Sequence, residues 1–313
     1  MIAIALLTPT ASAQRGEQQQ QDAVATVAPL AEAPAIDGKI AEGEWREAMQ
    51  TSLFMAVTGS QKRLYDARLG KAWVGYDDDN LYVAVVSEVS PIGPKAEKKF
   101  RDARLVFDSG IELWIDPNRS ARDAGTAEDT RFYQFIGNPI GTILDVAFDT
   151  GGSPDKGWDG DWTYENTVDE EAGTWTAEIS LPWSSLGLEK APVGEAIGLI
   201  VARNYKNPWN QVTALPVGKS FASVGSYPRI VLTENDPVVR VKSMGGDAAF
   251  EGRIDMQVEV VNPGEARTVQ TDLFIQSTTM PEITEEKTLE LPANGTASGA
   301  ASGKRAATPP ENL

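Results

Sequence analysis

The chain has 313 residues, enough for one large β domain or two smaller ones with a real core. Its 28 Lys and Arg face 45 Asp and Glu, a formal net charge of −17, which disfavours nucleic-acid and anionic-membrane partners and leaves neutral sugars or cations open. With no cysteine and no histidine, it excludes disulfides, thiolate metal sites, cysteine nucleophiles, imidazole bases and any Ser-His-Asp triad.

The N-terminus reads "MIAIALLTPTASAQ". Its apolar run Ile2–Leu7 is too short to span a bilayer, and Ala11-Ser12-Ala13 has the small-x-small spacing cleaved by signal peptidase before Gln14. Residues 1–13 are therefore expected to be a signal peptide and the protein to be exported, to the periplasm, the cell surface or the medium. The alternative is a mobile Ala/Thr tail. Residues 14–34, rich in Gln and Ala, read as a disordered linker. No other segment is apolar enough to enter a membrane.

From Ala35 to Glu234, aromatic and β-branched runs alternate with Gly, Pro, Asn and Asp clusters. Strands are predicted at Ala72–Tyr76, Leu81–Ser87, Gly110–Ile115, Phe132–Gly137, Thr142–Phe148, Trp162–Val168, Trp175–Leu181, Ile197–Tyr205 and Arg229–Leu232. Helical periodicity is weak, with short helices predicted only over Glu42–Met49 and Pro94–Arg104. The fold class is all-β, an antiparallel β-sandwich. Asp77-Asp78-Asp79-Asn80 reads as the turn of a hairpin, because Asp and Asn bond their own backbone there. Trp73, Trp175 and Trp183 are expected in the core. Of Trp158 and Trp162, one is expected as a core plug and the other at the rim.

Residues 236–293 begin a second unit, where "RIDMQVEVVNPGEARTVQTDLFIQS" alternates apolar and polar residues across Asn262-Pro263-Gly264. That pattern predicts a hairpin of a partial immunoglobulin-like domain. Residues 294–313, rich in Gly, Ala, Ser and Pro, read as a disordered tail.

On the strand at Gly110–Asp116, alternation puts Ile111, Leu113 and Ile115 on one face and Glu112, Trp114 and Asp116 on the other. In "FYQFIGN", Phe132, Gln134, Ile136 and Asn138 share a face. An indole among acids and amides suits sugar binding: the ring stacks on a pyranose C–H face while the polar groups bond its hydroxyls. The competing readings are core packing for Trp114, an exposed strand carboxylate for Glu112 and a turn role for Asn138.

Four stretches, "AIDGKIAEGEW" (35–45), "VGYDDDNLYVAV" (74–85), "DSGIELWIDPN" (108–118) and "TWTAEISLPWSSLG" (174–187), resemble carbohydrate-binding module family 9 and its DOMON-like β-sandwich relatives in order and spacing. "FYQFIGNPIGTILD" (132–145) fits the same pattern, and the resemblance covers residues 35–234. It implies a non-catalytic module that binds a polysaccharide or oligosaccharide, a neutral glycan, and serves carbohydrate breakdown beside a glycoside hydrolase. No cofactor is required; structural Ca2+ occurs in the family. The family's slot glutamate matches Glu112 and its asparagine Asn138. Its arginine falls on Ile136, its first slot tryptophan near Leu105, and its second near Phe221. Trp209 in "NPWNQ" is a candidate substitute. The expected sugar contacts are thus Trp114, Glu112, Gln134, Asn138 and Trp209.

No EF-hand spacing occurs. The loop "FDTGGSPDKGWDGD" offers Asp149, Asp155, Asp159 and Asp161 as Ca2+ ligands, against the alternative of solvated loop acids. A sandwich without sugar binding, serving structure or adhesion, is the alternative of a different class. Haem held by Met55 with Lys71 or Lys95 is a further one. Catalysis by paired carboxylates is not expected, because no motif sets one acid in an apolar pocket beside another. A monomer is the expected state.

Overall fold

The structure, a computed structural model, describes residues 2–8, 24–41, 43–52, 54–56, 68, 70–149, 151–207, 211–214, 221, 223–244, 253–276 and 283–304. In chain order the strands begin with β1 (Ile2–Thr8), β2 (Val24–Val27), β3 (Met49–Thr51), β4 (Met55–Ala56), β5 (Gly70–Tyr76), β6 (Asn80–Glu88) and β7 (Gly110–Asp116). After the short helix α1 (Arg119–Ala124) come β8 (Phe132–Gly137), β9 (Ile143–Phe148), β10 (Pro154–Asp155), β11 (Thr163–Asp169), β12 (Thr174–Pro182) and β13 (Ala196–Tyr205). The chain continues through β14 (Gln211–Ala214), β15 (Arg229–Leu232), β16 (Val238–Met244), β17 (Arg253–Asn262), β18 (Arg267–Gln276), β19 (Ile283–Leu291) and β20 (Gly295–Lys304).

Two mixed sheets form a sandwich. One runs β10-β9-β8-β7-β13-β14-β4, with β15 joined to β13 and β2 to β15. The other runs β11-β12-β6-β5-β3-β16-β17-β20. Between them lie Leu113, Phe135 and Leu199 from the first sheet and Val74, Val83 and Ile179 from the second. Each comes from the apolar half of an alternating strand, so the pleat alone assigns it to the core. All nine predicted strands form, with ends within two residues of those expected.

The DDDN turn is built by Asp77. Its Oδ1 accepts from the amides of Asp79 (2.9 Å) and Asn80 (2.7 Å), and its Oδ2 from the Tyr82 hydroxyl (2.7 Å). Trp175 and Trp183 lie in the core; Trp73 packs on the outer side of the second sheet with Leu30, Trp45 and Tyr82. Trp162 is buried, and the half-buried Trp158 leans on Tyr133 and Phe135.

Several expectations give way. Neither predicted helix forms: residues 43–48 make turns, and the amides of Glu97 and Lys98 bond the Asp108 carboxylate instead of a helical carbonyl. The sandwich begins by Val24 rather than Ala35, since β2 lies parallel to β15 and Val27, Ala28 and Leu30 are buried. β17 and β18 are not a hairpin. β17 pairs with β16 and β20, whereas β18 pairs with β19 and β1 in a separate three-stranded sheet. The buried Asn262 amide turns this corner, donating to the carbonyls of Glu265 (2.8 Å) and Pro292 (2.9 Å). Residues 295–304, expected to be disordered, form β20, paired antiparallel with β17 from Gly295 opposite Asn262 to Lys304 opposite Arg253.

β16, β17 and β20 continue the second sheet. β16 joins β3 at Arg240 and Gln50, and the Arg240 guanidinium binds the Gln50 side chain (3.0 Å), the Arg46 carbonyl (3.0 Å) and Glu259 (3.0 Å). Among the described residues no helix is long and apolar enough to cross a membrane.

Candidate functional site

The outer face of the first sheet carries the predicted polar set. The register places Glu112 of β7 between Ile136 of β8 and Ala202 of β13, and Trp114 between Gln134 and Ile200. Diagonal neighbours therefore converge on one carboxylate. Glu112 Oε1 accepts from Trp114 Nε1 and from Gln134 Nε2, each at 2.6 Å, and Oε2 accepts from Asn204 Nδ2 at 2.6 Å. The carboxylate is buried. Burial pushes its pKa above the usual carboxylate value, against the opposing pull of the Asn204, Gln134 and Trp114 hydrogen bonds and the charge of Lys206. An ionised carboxylate offers roughly four lone-pair sites, so a fourth donor can still be accepted on Oε2.

Trp114 is not an open platform. Its ring is 8% exposed and sits among Phe148, Phe221 and Phe132, with centroids 5.2, 5.9 and 6.3 Å away. The Tyr227 hydroxyl donates to the Phe221 carbonyl, which fixes the residue whose ring meets the indole. The stacking role expected of Trp114 is corrected by this packing: its ring serves the aromatic cluster and its N–H serves Glu112. Arg119 from α1 braces the same corner through the Tyr227 carbonyl (2.8 Å), and Arg122 grips Asp116 through both carboxylate oxygens at 2.6 and 3.2 Å.

Asn138 lies away from this network. It is fully buried, donating to the Lys98 carbonyl (2.9 Å) and to Asp108 (3.1 Å) while accepting from the amides of Ile140 (3.2 Å) and Thr142 (2.8 Å). Its amide is committed to a turn and to the neighbouring loop, so it cannot hold a sugar hydroxyl as expected. Leu105, at the first slot position, is fully buried. Trp209 lies outside the described residues.

The four acids expected around Ca2+ do not converge. Asp149 accepts from the amides of Gly151 and Ser153, and Asp155 from that of Gly157, so both shape their own turns. Asp159 instead gathers with Asp102 and Asp145, their ligand atoms all within 4.8 Å of one another. Arg101 lies among them, 2.7 Å from Asp145, 3.3 Å from Asp159 and 3.8 Å from Asp102. Asp145 also accepts from Gly160 N (2.5 Å) and Trp162 Nε1 (3.3 Å). A guanidinium and two further donors supply what a cation would supply, so this set does not fit a resident Ca2+ unless Arg101 withdraws.

A second buried carboxylate explains two of the recognisable motifs. Glu178 Oε2 accepts from the amides of Asp37 (3.1 Å), Gly38 (3.0 Å) and Lys39 (3.2 Å), and Oε1 from Trp45 Nε1 (3.1 Å). "AIDGKIAEGEW" is thus clamped onto "TWTAEISLPW". Gly38 is required there: its φ is +79°, and a Cβ would meet the Asn166 backbone at 2.7 Å. Burial pushes Glu178 above its usual pKa, opposed by the Asp37 amide and the Trp45 indole.

The sequence reading missed Asn204. The signal was present, since alternation along "AIGLIVARNY" puts Asn204 on the face of Ile200 and Ala202, but only the pairing of β13 with β7 brings it to Glu112.

The chain is thus a β-sandwich of two mixed sheets with a buried polar network on one outer sheet face. The Carbohydrate family 9 binding domain-like family matches residues 36–213, and the chain belongs to this non-catalytic family. A crystal structure of a protein from Bacteroides uniformis ATCC 8492, provisionally described as carbohydrate-binding, aligns over 67% of this chain and 98% of its own, at 10% identity and a TM-score of 0.50. A family 9 carbohydrate-binding module from Caldicellulosiruptor kristjanssonii has been solved with cellotriose and with glucose. The first aligns over 68% of this chain and 95% of its own (14% identity, TM-score 0.46), the second over 68% and 97% (14%, 0.45). At 10% identity the likeness to the Bacteroides protein is one of fold. No curated protein sequence matches the chain.

Proposed function

We propose that the sandwich binds a neutral glycan on the outer face of its first sheet, without catalysis, using the network of Glu112, Gln134, Trp114 and Asn204. The observation that supports this is the Glu112 carboxylate, desolvated on an outer sheet face and carrying three side-chain donors. A well-packed apolar side chain there is often no less stable, so a buried charge points to use. A glycan hydroxyl would donate to the fourth lone-pair site of Glu112, which is 4% exposed, so the sugar reaches it only by displacing the side chains that cover it.

The packing of Phe221 against Trp114 favours one competing reading, a structural or adhesion sandwich that binds no sugar. Calorimetry with glucose, cellotriose and a panel of neutral polysaccharides separates the two. Binding that weakens in Glu112→Gln supports the proposal; absence of binding to every glycan sinks it.

The wider reading is of an exported protein, supported by Ala11-Ser12-Ala13, that holds a glycan for breakdown by a glycoside hydrolase. Residues 236–293 are read as a partial immunoglobulin-like domain, joined to the second sheet where β16 meets β3. No bound ion is required in this reading, since the Arg101 guanidinium already lies against Asp102, Asp145 and Asp159 and pairs most closely with the buried Asp145.

A further inference from the structure

Residues 94–108, between β6 and β7, carry five basic and three acidic residues on a chain whose net charge is −17. Two of those cations are engaged: Lys95 lies 3.5 Å from Glu97, and Arg101 serves the Asp102, Asp145 and Asp159 cluster. Lys98, Lys99 and Arg104 have no ion-pair partner among the described residues. Between them stands Phe100, 81% exposed, and just beyond stands Phe107, 54% exposed. Among the described residues, no other surface stretch sets two large exposed aromatic rings among unpaired cations.

The loop is held in place. Asp108, buried, accepts from the amides of Glu97 (3.0 Å) and Lys98 (2.8 Å) and from Asn138 Nδ2 (3.1 Å). Asn138 in turn holds the Lys98 carbonyl, and the Asp102 amide donates to the Ile143 carbonyl (3.1 Å). The exposed ring and the free cations therefore sit on a braced surface, so little ordering entropy remains to be lost when a ligand binds.

We infer that this loop is a binding site for an acidic glycan, a saccharide chain carrying carboxylate or sulfate groups. Phe100 stacks on a pyranose C–H face, and Lys98, Lys99 and Arg104 take the acid groups. Charge decides this ligand over an anionic bilayer. A thin chain feels mainly the charges within about 8 Å of it at physiological salt, whereas a bilayer plane meets the whole acidic surface and is repelled. The site goes beyond the neutral-glycan reading and does not rest on the Glu112 network.

Affinity electrophoresis through polygalacturonate and through dextran sulfate tests it, with dextran as neutral control and vesicles of phosphatidylcholine, with and without phosphatidylglycerol, in flotation assays. At least one acidic polymer should retard the protein, less so as salt rises, and the one that does identifies the acid group. Phe100→Ser should weaken that binding about threefold to tenfold. The triple change Lys98→Ser, Lys99→Ser, Arg104→Ser should abolish it. Both variants should keep the wild-type melting temperature and any neutral-glycan binding, while Glu112→Gln should leave acidic-polymer binding intact. Failure of both polymers, retention unchanged in both variants, or binding to anionic vesicles alone would overturn the inference.

Discussion

Asn204 and Glu112 are 92 positions apart in sequence and meet at 2.6 Å. That contact joins the two central strands of the first sheet and completes the donor set around a buried carboxylate. Removing the carboxylate strands three donors at once. Glu112→Ala should therefore destabilise the fold by about 3 kcal/mol, read by urea denaturation. Glu112→Gln should cost much less, because the Asn204 amide can turn over and accept from the new NH2 group. Equal costs for the two variants would show that the donors are not what Glu112 holds.

Glu112 and Glu178 both have folded-state pKa values raised by burial above the ordinary 4.5. Such a carboxyl binds its proton more tightly folded than unfolded. The stability it contributes is then fully present below about pH 4.5 and is lost as pH rises through the raised value. In denaturation series across that window, Glu112→Gln and Glu178→Gln should each flatten the decline relative to the parent protein. A decline as steep in the double variant would assign it to other groups.

Glu178 also clamps the loop at residues 37–39. Glu178→Ala leaves the amides of Asp37 and Gly38 and the Trp45 indole without their acceptor, while the Lys39 amide keeps Asp37 Oδ1 (2.9 Å), at a cost of about 3 kcal/mol. Hydrogen exchange should show the amides of Asp37 and Gly38 losing protection before the core strands do.

Trp114→Ala should act on stability as well as on binding. The indole fills an aromatic cluster with Phe132, Phe148 and Phe221, so truncation should cost about 3–5 kcal/mol. An unchanged denaturation midpoint would return Trp114 to the role of an open stacking platform.

Arg101 and Ca2+ make opposite demands on the Asp102, Asp145 and Asp159 cluster. With Arg101 in place, a chelator should leave the melting temperature unchanged. Arg101→Ala should lower it and render it sensitive to added Ca2+, because the fully buried Asp145 loses its counter-charge. A parent protein that melts earlier in chelator would place a resident ion there.

By itself the sequence determined nine strands of the sandwich, its class and the face on which Glu112, Trp114 and Gln134 stand. These depend on the two-residue period of a pleated strand and on turn chemistry such as that of Asp77, both written over a few neighbouring positions. Tertiary structure alone decided what those side chains touch. Asn204 reaches Glu112 only through strand pairing, Phe221 reaches Trp114 only through the corner held by Tyr227, and Asn138 is drawn to Lys98 and Asp108 by a loop some 40 and 30 positions away. The course of β17 into β18 shows the same limit. A hairpin and a crossing between sheets share one alternating pattern, and only the partners on either side tell them apart.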